Sequence, residues 1–243
     1  MSSSTADNNV FPQFCEKAAT DINCFKTFKQ SPDFTPILEH VDYNQGLAYY
    51  KHILLNKKIT KLLDKFEIND RLGGPKTYDF DFGSFSPTTL RYVKVLSELS
   101  QLNLENKNIV EIGGGYGGQY TVLRQYIKPK SYTFVDLPQV LKLQKKYIKL
   151  NKLDDITLNF YNSNNLPTVN CDLVISNYAI SECISKIQDI YISKILKNSK
   201  HGYITHNKFE GHDIDTFINR TTKTVKKHNE SPQTGIDNIL ITW

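Results

Sequence analysis

Apolar residues follow two different rhythms along the chain, and the change comes near residue 105. Before that point they recur at helical spacing, which predicts helices over 11–29, 34–41, 44–54 and 56–66. After a break at Gly73-Gly74-Pro75, the pair Ser86-Pro87 provides an N-cap and a first-turn proline for one more helix. This part of the chain therefore predicts a helical region without strands.

From residue 107 onward, short runs rich in β-branched and aromatic residues alternate with helical stretches. The runs predict strands over 108–112, 131–136, 156–161, 171–177, 201–207 and 238–243, and the intervening patterns predict helices over 117–127, 138–151 and 181–197. This alternation predicts an α/β fold with a doubly wound, mostly parallel sheet. The expected organisation is a disordered tail over 1–10, a helical cap or lid over 11–105 and a Rossmann-like domain over 106–243.

The composition excludes several classes of protein. Apolar residues make up 39% and charged residues 23%, as in ordinary soluble domains, and no apolar run is long enough to cross a bilayer. The N-terminal "MSSSTADNN" lacks the basic and apolar regions of a secretion signal, so a cytoplasmic location without membrane partners is expected. Arginine occurs only at positions 71, 91, 124 and 220, and the remaining positive charge is lysine, which argues against a nucleic-acid partner. The four cysteines lack zinc-ligand spacing.

The stretch "NIVEIGGGYGGQY" at residues 108–120 is the most informative motif. Gly113, Gly115 and Gly118 match the dinucleotide fingerprint, with Asp136 at the end of the next predicted strand, so a nicotinamide enzyme is one interpretation. The other pattern, Glu-x-Gly-x-Gly-x-Gly, ends at Gly117 and resembles motif I of class I S-adenosylmethionine (SAM) methyltransferases. A carboxylate at Glu111 is unfavourable beside a pyrophosphate but suits the ammonium and sulfonium of SAM. The methyltransferase interpretation is therefore favoured.

In this interpretation the residues that follow each strand bind the cofactor. The Asp136 carboxylate accepts hydrogen bonds from both ribose hydroxyls, although it could equally cap the helix that begins at Leu137-Pro138. The polar loop after the third strand contacts adenine or is merely exposed. The full set of expected cofactor residues is Glu111, Gly113, Gly115, Gly117, Gln119, Asp136, Leu137, Asn162, Ser163, Asn177, Arg91 and Thr89.

Five stretches together carry a more specific resemblance. They are "SPTTLRYVKVLSEL", "VEIGGGYGGQ", "FVDLPQVLKLQKKYI", "CDLVISNYAISE" and "SPQTGIDNILITW", and from about residue 69 to the end the chain resembles a family of sugar O-methyltransferases. The resemblance implies a seven-stranded sheet whose last strand is antiparallel. It also implies methyl transfer from SAM to a hydroxyl of a sugar, including nucleotide-sugars and glycan precursors. A homodimer formed through the N-terminal helices is a further expectation.

Methyl transfer to a sugar hydroxyl benefits from a general base, because the hydroxyl is a weak acid. His206 ends the fifth predicted strand of the α/β region and is the first candidate, since its ordinary pKa suits base chemistry. Glu182 is the second candidate, and Tyr178 would orient the acceptor. Each also has a structural alternative: a loop contact for His206, a helix-dipole contact for Glu182 and a core position for Tyr178.

No paired aspartates follow the fourth strand of the α/β region, so a mechanism without a metal is expected. Arg91 would pair with the methionine carboxylate of SAM, with an acidic group of the acceptor, or with a surface carboxylate. Three rivals to the sugar O-methyltransferase stay open: an O-methyltransferase of phenolic or other small metabolites, a nicotinamide oxidoreductase, and a methyltransferase-like module without catalysis.

Overall fold

The computed structural model describes residues 10–207 and 213–243, and the expected tail at 1–9 lies outside them. The first region forms short helices that wrap around one long, buried helix. Their bounds are α1 (Val10–Thr20), α2 (Ile22–Thr27), α3 (Thr35–Leu38), α4 (Tyr43–Leu54), α5 (Lys57–Thr60) and α6 (Leu63–Phe66), followed by strands β1 (Tyr78–Phe80) and β2 (Gly83–Phe85) and by the long helix α7 (Pro87–Leu99).

Three sequence predictions for this region were wrong. The single helix expected over 56–66 is divided into α5 and α6 by a turn at residues 61 and 62. The single helix expected over 11–29 is broken at Asp21, whose carboxylate accepts hydrogen bonds from the backbone N–H groups of Asn23 and Cys24 and so starts a second helix. The antiparallel hairpin of β1 and β2 pairs Tyr78 with Phe85, whereas no strand was expected before residue 105. Strands of three residues are too short to show an alternating pattern.

The second region forms the predicted α/β fold. Its elements are β3 (Asn108–Ile112), α8 (Gly118–Leu123), β4 (Ser131–Asp136), α9 (Pro138–Leu150), β5 (Thr157–Asn162), β6 (Cys171–Asn177), α10 (Ser185–Lys194), β7 (Ser199–His206), α11 (Ile214–Thr221), β8 (Lys226–Asn229) and β9 (Ile239–Thr242). Seven strands form one sheet in the order β5-β4-β3-β6-β7-β9-β8. Strand β9 is antiparallel to both neighbours, as expected, and the other pairs are parallel. Strand β8 was not predicted, because all four of its residues are exposed.

The two regions share one hydrophobic cluster. Helix α7 begins at the Ser86 cap, as predicted, and twelve of its residues are buried, so it separates the short helices from the sheet. Elsewhere in the N-terminal helical region, the rings of Phe28 and Phe34 pack against the ring of Tyr116, with centroid distances of 5.6 and 6.1 Å. The first helices are therefore packed directly over the glycine-containing turn that follows β3.

Candidate functional site

A cavity of about 500 Å³ opens at the carboxyl ends of β3, β4 and β6. Strands β4 and β6 lie on opposite sides of β3, so the chain reverses its winding there. Ligands of doubly wound sheets bind at this switch point. Among the residues that line the cavity are the expected Arg91, Gly113, Gly115, Asp136, Leu137, Ser163, Asn177, Tyr178 and Glu182, together with His40, Asn164, Asn207, Thr234 and Asn238.

The turn after β3 requires glycine for two separate reasons. Gly113 and Gly115 have φ values of +72° and +55°, which side chains rarely adopt. A Cβ atom added to Gly113 would lie 2.1 Å from the Cβ of Ala179, and one added to Gly115 would lie 2.7 Å from the side chain of Leu38. The turn therefore packs too closely against Ala179 and Leu38 to carry a side chain at either position. Gly117 precedes α8 with φ +94° and does not line the cavity.

The expectation that Glu111 points into the site is wrong. Its side chain is 3% exposed and its Oε2 accepts a hydrogen bond of 2.8 Å from the Tyr132 hydroxyl. A Cβ on Gly114 would lie 2.9 Å from the same oxygen, so the carboxyl lies beneath the turn, away from the cavity. Burial raises the pKa of Glu111 to about 8, although the Tyr132 hydrogen bond partly opposes this. The carboxyl is therefore largely protonated at neutral pH and supports the turn from below.

Asp136 connects the glycine turn to helix α9. Its Oδ2 accepts hydrogen bonds from the Gly115 N–H (3.3 Å) and the Gln144 amide (3.2 Å), and its Oδ1 accepts one from the Leu137 N–H (2.8 Å). The helix-capping role considered from the sequence is wrong, because Leu137 is the N-cap of α9 and no side chain caps that end, whereas the carboxylate does line the cavity. A carboxylate accepts about four hydrogen bonds, so contact with both hydroxyls of a ribose would replace at least one of these three hydrogen bonds.

Three other expected cofactor residues do not line the cavity. Their side chains form hydrogen bonds with other groups of the protein. Gln119 donates to the backbone carbonyl of Tyr92 (3.2 Å), and the Thr89 hydroxyl donates to Asp70 (2.7 Å). Asn162 accepts from the Asn164 N–H (2.9 Å) and so shapes the loop after β5. That loop lines the cavity through Ser163 and Asn164 instead.

The leading candidate for a general base, His206, does not line the cavity. It is 3% exposed, and its ring centroid lies 5.6 Å from that of Phe217 on α11, on the other face of the sheet from the cap. Successive residues of a strand point to opposite faces, and it is Asn207 that reaches the cavity. The Asn207 amide donates to Oε1 of Glu182 at 3.1 Å, which orients the second candidate.

Tyr178 lies in the cavity wall and its hydroxyl is held firmly. Its φ of +67° is unusual for a tyrosine, and its N–H donates to the Thr205 carbonyl at 2.9 Å. The hydroxyl lies 2.5 Å from Oε1 of Glu230 and 2.6 Å from the hydroxyl of Thr234. Burial raises the pKa of Tyr178 well above its ordinary value. Tyr178 is therefore a neutral hydrogen-bond donor, not a base.

Sequence reasoning missed Glu230 and the residues that bind it. The carboxylate is 3% exposed and accepts hydrogen bonds from the Thr234 N–H (2.9 Å) and the Asn238 amide (3.0 Å). The Thr234 hydroxyl also contacts the Tyr49 hydroxyl at 2.5 Å, which links helix α4 to the cavity wall. Glu230 lies 52 positions from Tyr178 along the chain, so local patterns gave no signal for this contact.

His40 is a further residue that sequence reasoning missed. It remains exposed at the cavity rim, where loss of hydration and then the charge of Arg91 lower its pKa to about 4. The ring is therefore neutral at neutral pH.

In the part of the chain that the structure describes, no three His, Cys, Asp or Glu side chains form a group that could hold a metal ion. No helix within the described ranges is long and apolar enough to span a bilayer.

Comparison with known protein families finds no match for this sequence, and comparison with curated proteins finds none either. Solved structures do match. A protein from Pyrococcus horikoshii provisionally assigned as an RNA methyltransferase has a TM-score of 0.50 at 14% identity over 75% of this chain and 96% of its own. A methyltransferase from Pyrococcus furiosus has a TM-score of 0.47 at 15% identity, covering 79% of this chain and 95% of its own.

The pyocyanin biosynthetic protein PhzM has a TM-score of 0.49 at 10% identity, over 64% of this chain, which spans only 56% of PhzM. Together with the strand order and the antiparallel β9, the match to the Pyrococcus horikoshii protein decides the fold. This is the class I methyltransferase fold. The cavity of this methyltransferase fold lies at the switch point, between the glycine turn, Asp136 and Tyr178.

Proposed function

We propose that the protein is a SAM-dependent O-methyltransferase that transfers a methyl group to a hydroxyl of a sugar. The observation that carries the proposal is the pairing of the glycine turn with Asp136 at the switch point. Gly115 donates its N–H to Asp136 while both line the cavity, so a carboxylate that suits a ribose and a turn without side chains lie side by side. The fold supports a class I methyltransferase, and the sugar comes from the sequence resemblance.

The residues present fit SAM at one end of the cavity. Asp136 would accept hydrogen bonds from the ribose hydroxyls, and Ser163 with Asn164 would contact the adenine edge. Gly113 and Gly115 line the cavity without side chains, so the amino-acid end of the cofactor would lie against their backbone. When bound, SAM supplies an electrophilic methyl group on a sulfonium.

The residues at the other end would hold the acceptor. Glu182, oriented by Asn207, would take the proton of the acceptor hydroxyl as the bond from that oxygen to the methyl carbon forms. Tyr178, held by Glu230, would orient the acceptor oxygen in line with the methyl group. His206 has no such role in this proposal, because it faces α11.

Two features of the wall bear on the acceptor. Thr234, Asn207 and Asn238 line the wall, and although each also bonds to Glu230 or Glu182, the second N–H and the oxygen of an amide would suit a sugar. The lining also contains Ile37, Ile187 and Tyr191, and these apolar side chains favour the second candidate, a phenolic small-molecule acceptor. A panel of sugars, nucleotide-sugars and phenols with radiolabelled SAM would decide between them. Methylation of phenols without any sugar would contradict the sugar proposal.

The cofactor itself is tested by calorimetric titration with S-adenosylhomocysteine (SAH), with NADH as the control ligand. The wild type is expected to bind SAH and not NADH. Loss of charge-assisted hydrogen bonds to ribose in Asp136→Ala is expected to weaken SAH binding ~10- to 100-fold. The matched control is Asp154→Ala, since Asp154 is exposed in the loop before β5 and does not line the cavity. Tight NADH binding without SAH binding would establish an oxidoreductase instead.

A further inference from the structure

Arg91 brings a permanent positive charge into the cavity wall. It is carried by the buried helix α7, its side chain is 4% exposed, and it lines the cavity. Its guanidinium carbon lies 5.4 Å from the ring centroid of Tyr92 and 5.5 Å from that of Tyr178. Both rings stabilise the cation weakly through their faces. The packing therefore fixes the guanidinium at the surface of the cavity.

No carboxylate of the described residues forms an ion pair with the guanidinium, although burial raises the pKa of the nearby Glu39 carboxyl and the guanidinium charge partly opposes this rise. Nη2 makes a long hydrogen bond of 3.5 Å to the Leu38 carbonyl, and the guanidinium also interacts with the Tyr92 hydroxyl, while Nε and Nη1 are buried without a well-formed hydrogen bond within the described residues. By contrast, Arg124 and Arg220 each bind an aspartate, at 2.6 and 2.9 Å. A buried charge without a counterion is costly, because the lost hydration is not replaced.

We propose that Arg91 is the anion site of this cavity and that it pairs with a carboxylate of a bound molecule. Among the described lining residues Arg91 is the single permanent cation, while Asp136 and Glu182 are carboxylates. One guanidinium balances a singly charged carboxylate, whereas a phosphate dianion would leave surplus negative charge beside those two residues. Guanidinium and carboxylate also match in planar geometry.

The carboxylate has two possible sources, and both rest on the proposed function. It belongs either to the amino-acid end of SAM or to an acidic group on the acceptor. The two sources make different demands on the protein. In the first case the cofactor product SAH binds through Arg91, and in the second case SAH binds without it and a second, acidic molecule requires Arg91.

The test uses Arg91→Met, which preserves length without charge, and Arg220→Met as the matched control on the surface. Each protein is titrated with SAH and with 5′-(3-aminopropyl)thioadenosine, the SAH analogue that lacks only the carboxylate. Thermal unfolding of the SAH-saturated proteins is then followed with increasing acetate, compared with equal chloride. If the donor supplies the carboxylate, Arg91→Met weakens SAH binding ~10- to 100-fold and leaves binding of the analogue unchanged.

If the acceptor supplies the carboxylate, SAH binds both proteins equally, and acetate raises the unfolding temperature of the wild type but not of Arg91→Met. If neither SAH affinity nor the acetate response differs between them, no carboxylate pairs with Arg91 and the inference is wrong. Thermal unfolding without ligand distinguishes the anion site from a structural role of Arg91. Arg91→Met should be as stable as the wild type if Arg91 serves a ligand, and less stable if the guanidinium supports the fold. Absence of SAH binding to the wild type refutes the proposed function alone, since acetate stabilisation that requires Arg91 would still support the anion site.

Discussion

The hydroxyl of Tyr178 lies 2.5 Å from the carboxylate of Glu230, and this contact joins the loop after β6 to the segment between β8 and β9. Both residues are remote from the glycine turn in sequence, yet Tyr178 lines the same cavity. The contact fixes the tyrosine in its unusual backbone conformation, with φ +67°. Side chains at this end of the cavity are therefore positioned by a buried polar network.

Glu230→Ala is expected to lower the free energy of unfolding by ~2–4 kcal/mol, because it leaves several buried donors unsatisfied. These donors are the Tyr178 hydroxyl, the Thr234 N–H and the Asn238 amide. Urea denaturation followed by circular dichroism would measure the loss. Asp79→Ala is the control, since Asp79 is exposed on β1 and its change should stay within about 0.5 kcal/mol. Equal effects of the two substitutions would show that the network does not stabilise the fold.

Gly113→Ala is expected to abolish SAH binding and to destabilise the fold by ~1–3 kcal/mol. The added Cβ would lie 2.1 Å from the Cβ of Ala179, and φ +72° is strained for alanine. The double variant Gly113→Ala/Ala179→Gly removes the collision but not the strain, so it should recover only part of the stability. Calorimetric titration with SAH and thermal unfolding of both variants, with Ala179→Gly alone as control, would check this. Full SAH affinity in Gly113→Ala would contradict the proposed position of the cofactor.

The strands were the part of the fold that the sequence predicted best. Strands β3, β4 and β6 have the predicted bounds, because buried parallel strands are continuous apolar runs. Strand β8, "KKHN", was missed since it is an exposed edge strand, where lysines prevent pairing with other chains. The Asp21 break has a local signal, an aspartate at an N-cap, that the helical spacing outweighed, whereas the three-residue strands of the β1–β2 hairpin show no alternating pattern.

The site was predicted by position along the strands but not by side-chain direction. Asp136, at the end of β4, lines the cavity as expected. Glu111 and His206 were placed in the site because they also lie at strand ends, yet each points to the wrong side. Adjacent residues of a strand face opposite ways, and which of two neighbours faces the cavity depends on how the turn leaves the strand. The hydrogen bond from Tyr132 orients Glu111, and packing with Phe217 orients His206. Both partners belong to other elements of the fold.

The buried Glu111 makes the stability of the protein depend on pH. The folded pKa of about 8 exceeds the ordinary value of 4.5, so between these values the unfolded chain loses a proton that the folded chain keeps. The free energy of unfolding therefore falls as pH rises from about 4.5 to about 8, by up to ~1.4 kcal/mol per pH unit from this group. Below about 4.5 the contribution is fully present, and above about 8 it is lost.

Glu111→Gln keeps the shape of the side chain and removes the titration, so it should flatten this dependence. Its stability relative to the wild type is expected to increase steadily across the window. Urea denaturation of both proteins at several pH values from about 4.5 to about 8 measures the difference. The control is Glu105→Gln, since Glu105 is exposed and should show no such trend. Parallel curves for the wild type and Glu111→Gln would mean that the Glu111 carboxyl is ionised in the folded protein.

The ammonium of Lys29 is buried between the N-terminal helices and the α/β region. It is 2% exposed, donates to the Asn69 carbonyl at 2.5 Å and lies 4.3 Å from the centroid of the Tyr116 ring. The Tyr147 hydroxyl also donates to that carbonyl, at 2.6 Å, so the carbonyl keeps a partner when the lysine is removed. Replacing a buried charge by an apolar side chain of similar length is often neutral or stabilising.

Lys29→Met is therefore expected to be at least as stable as the wild type at neutral pH. Burial lowers the pKa of Lys29 below its ordinary value of 10.5, so the unfolded chain binds the proton more tightly than the folded one. The wild type should consequently gain stability relative to Lys29→Met as pH rises toward 10.5. Urea denaturation at neutral and alkaline pH tests both statements, with the exposed Lys26→Met as control. A loss of more than ~2 kcal/mol in Lys29→Met at neutral pH would show that the contacts of the ammonium with the Asn69 carbonyl and the Tyr116 ring outweigh its lost hydration.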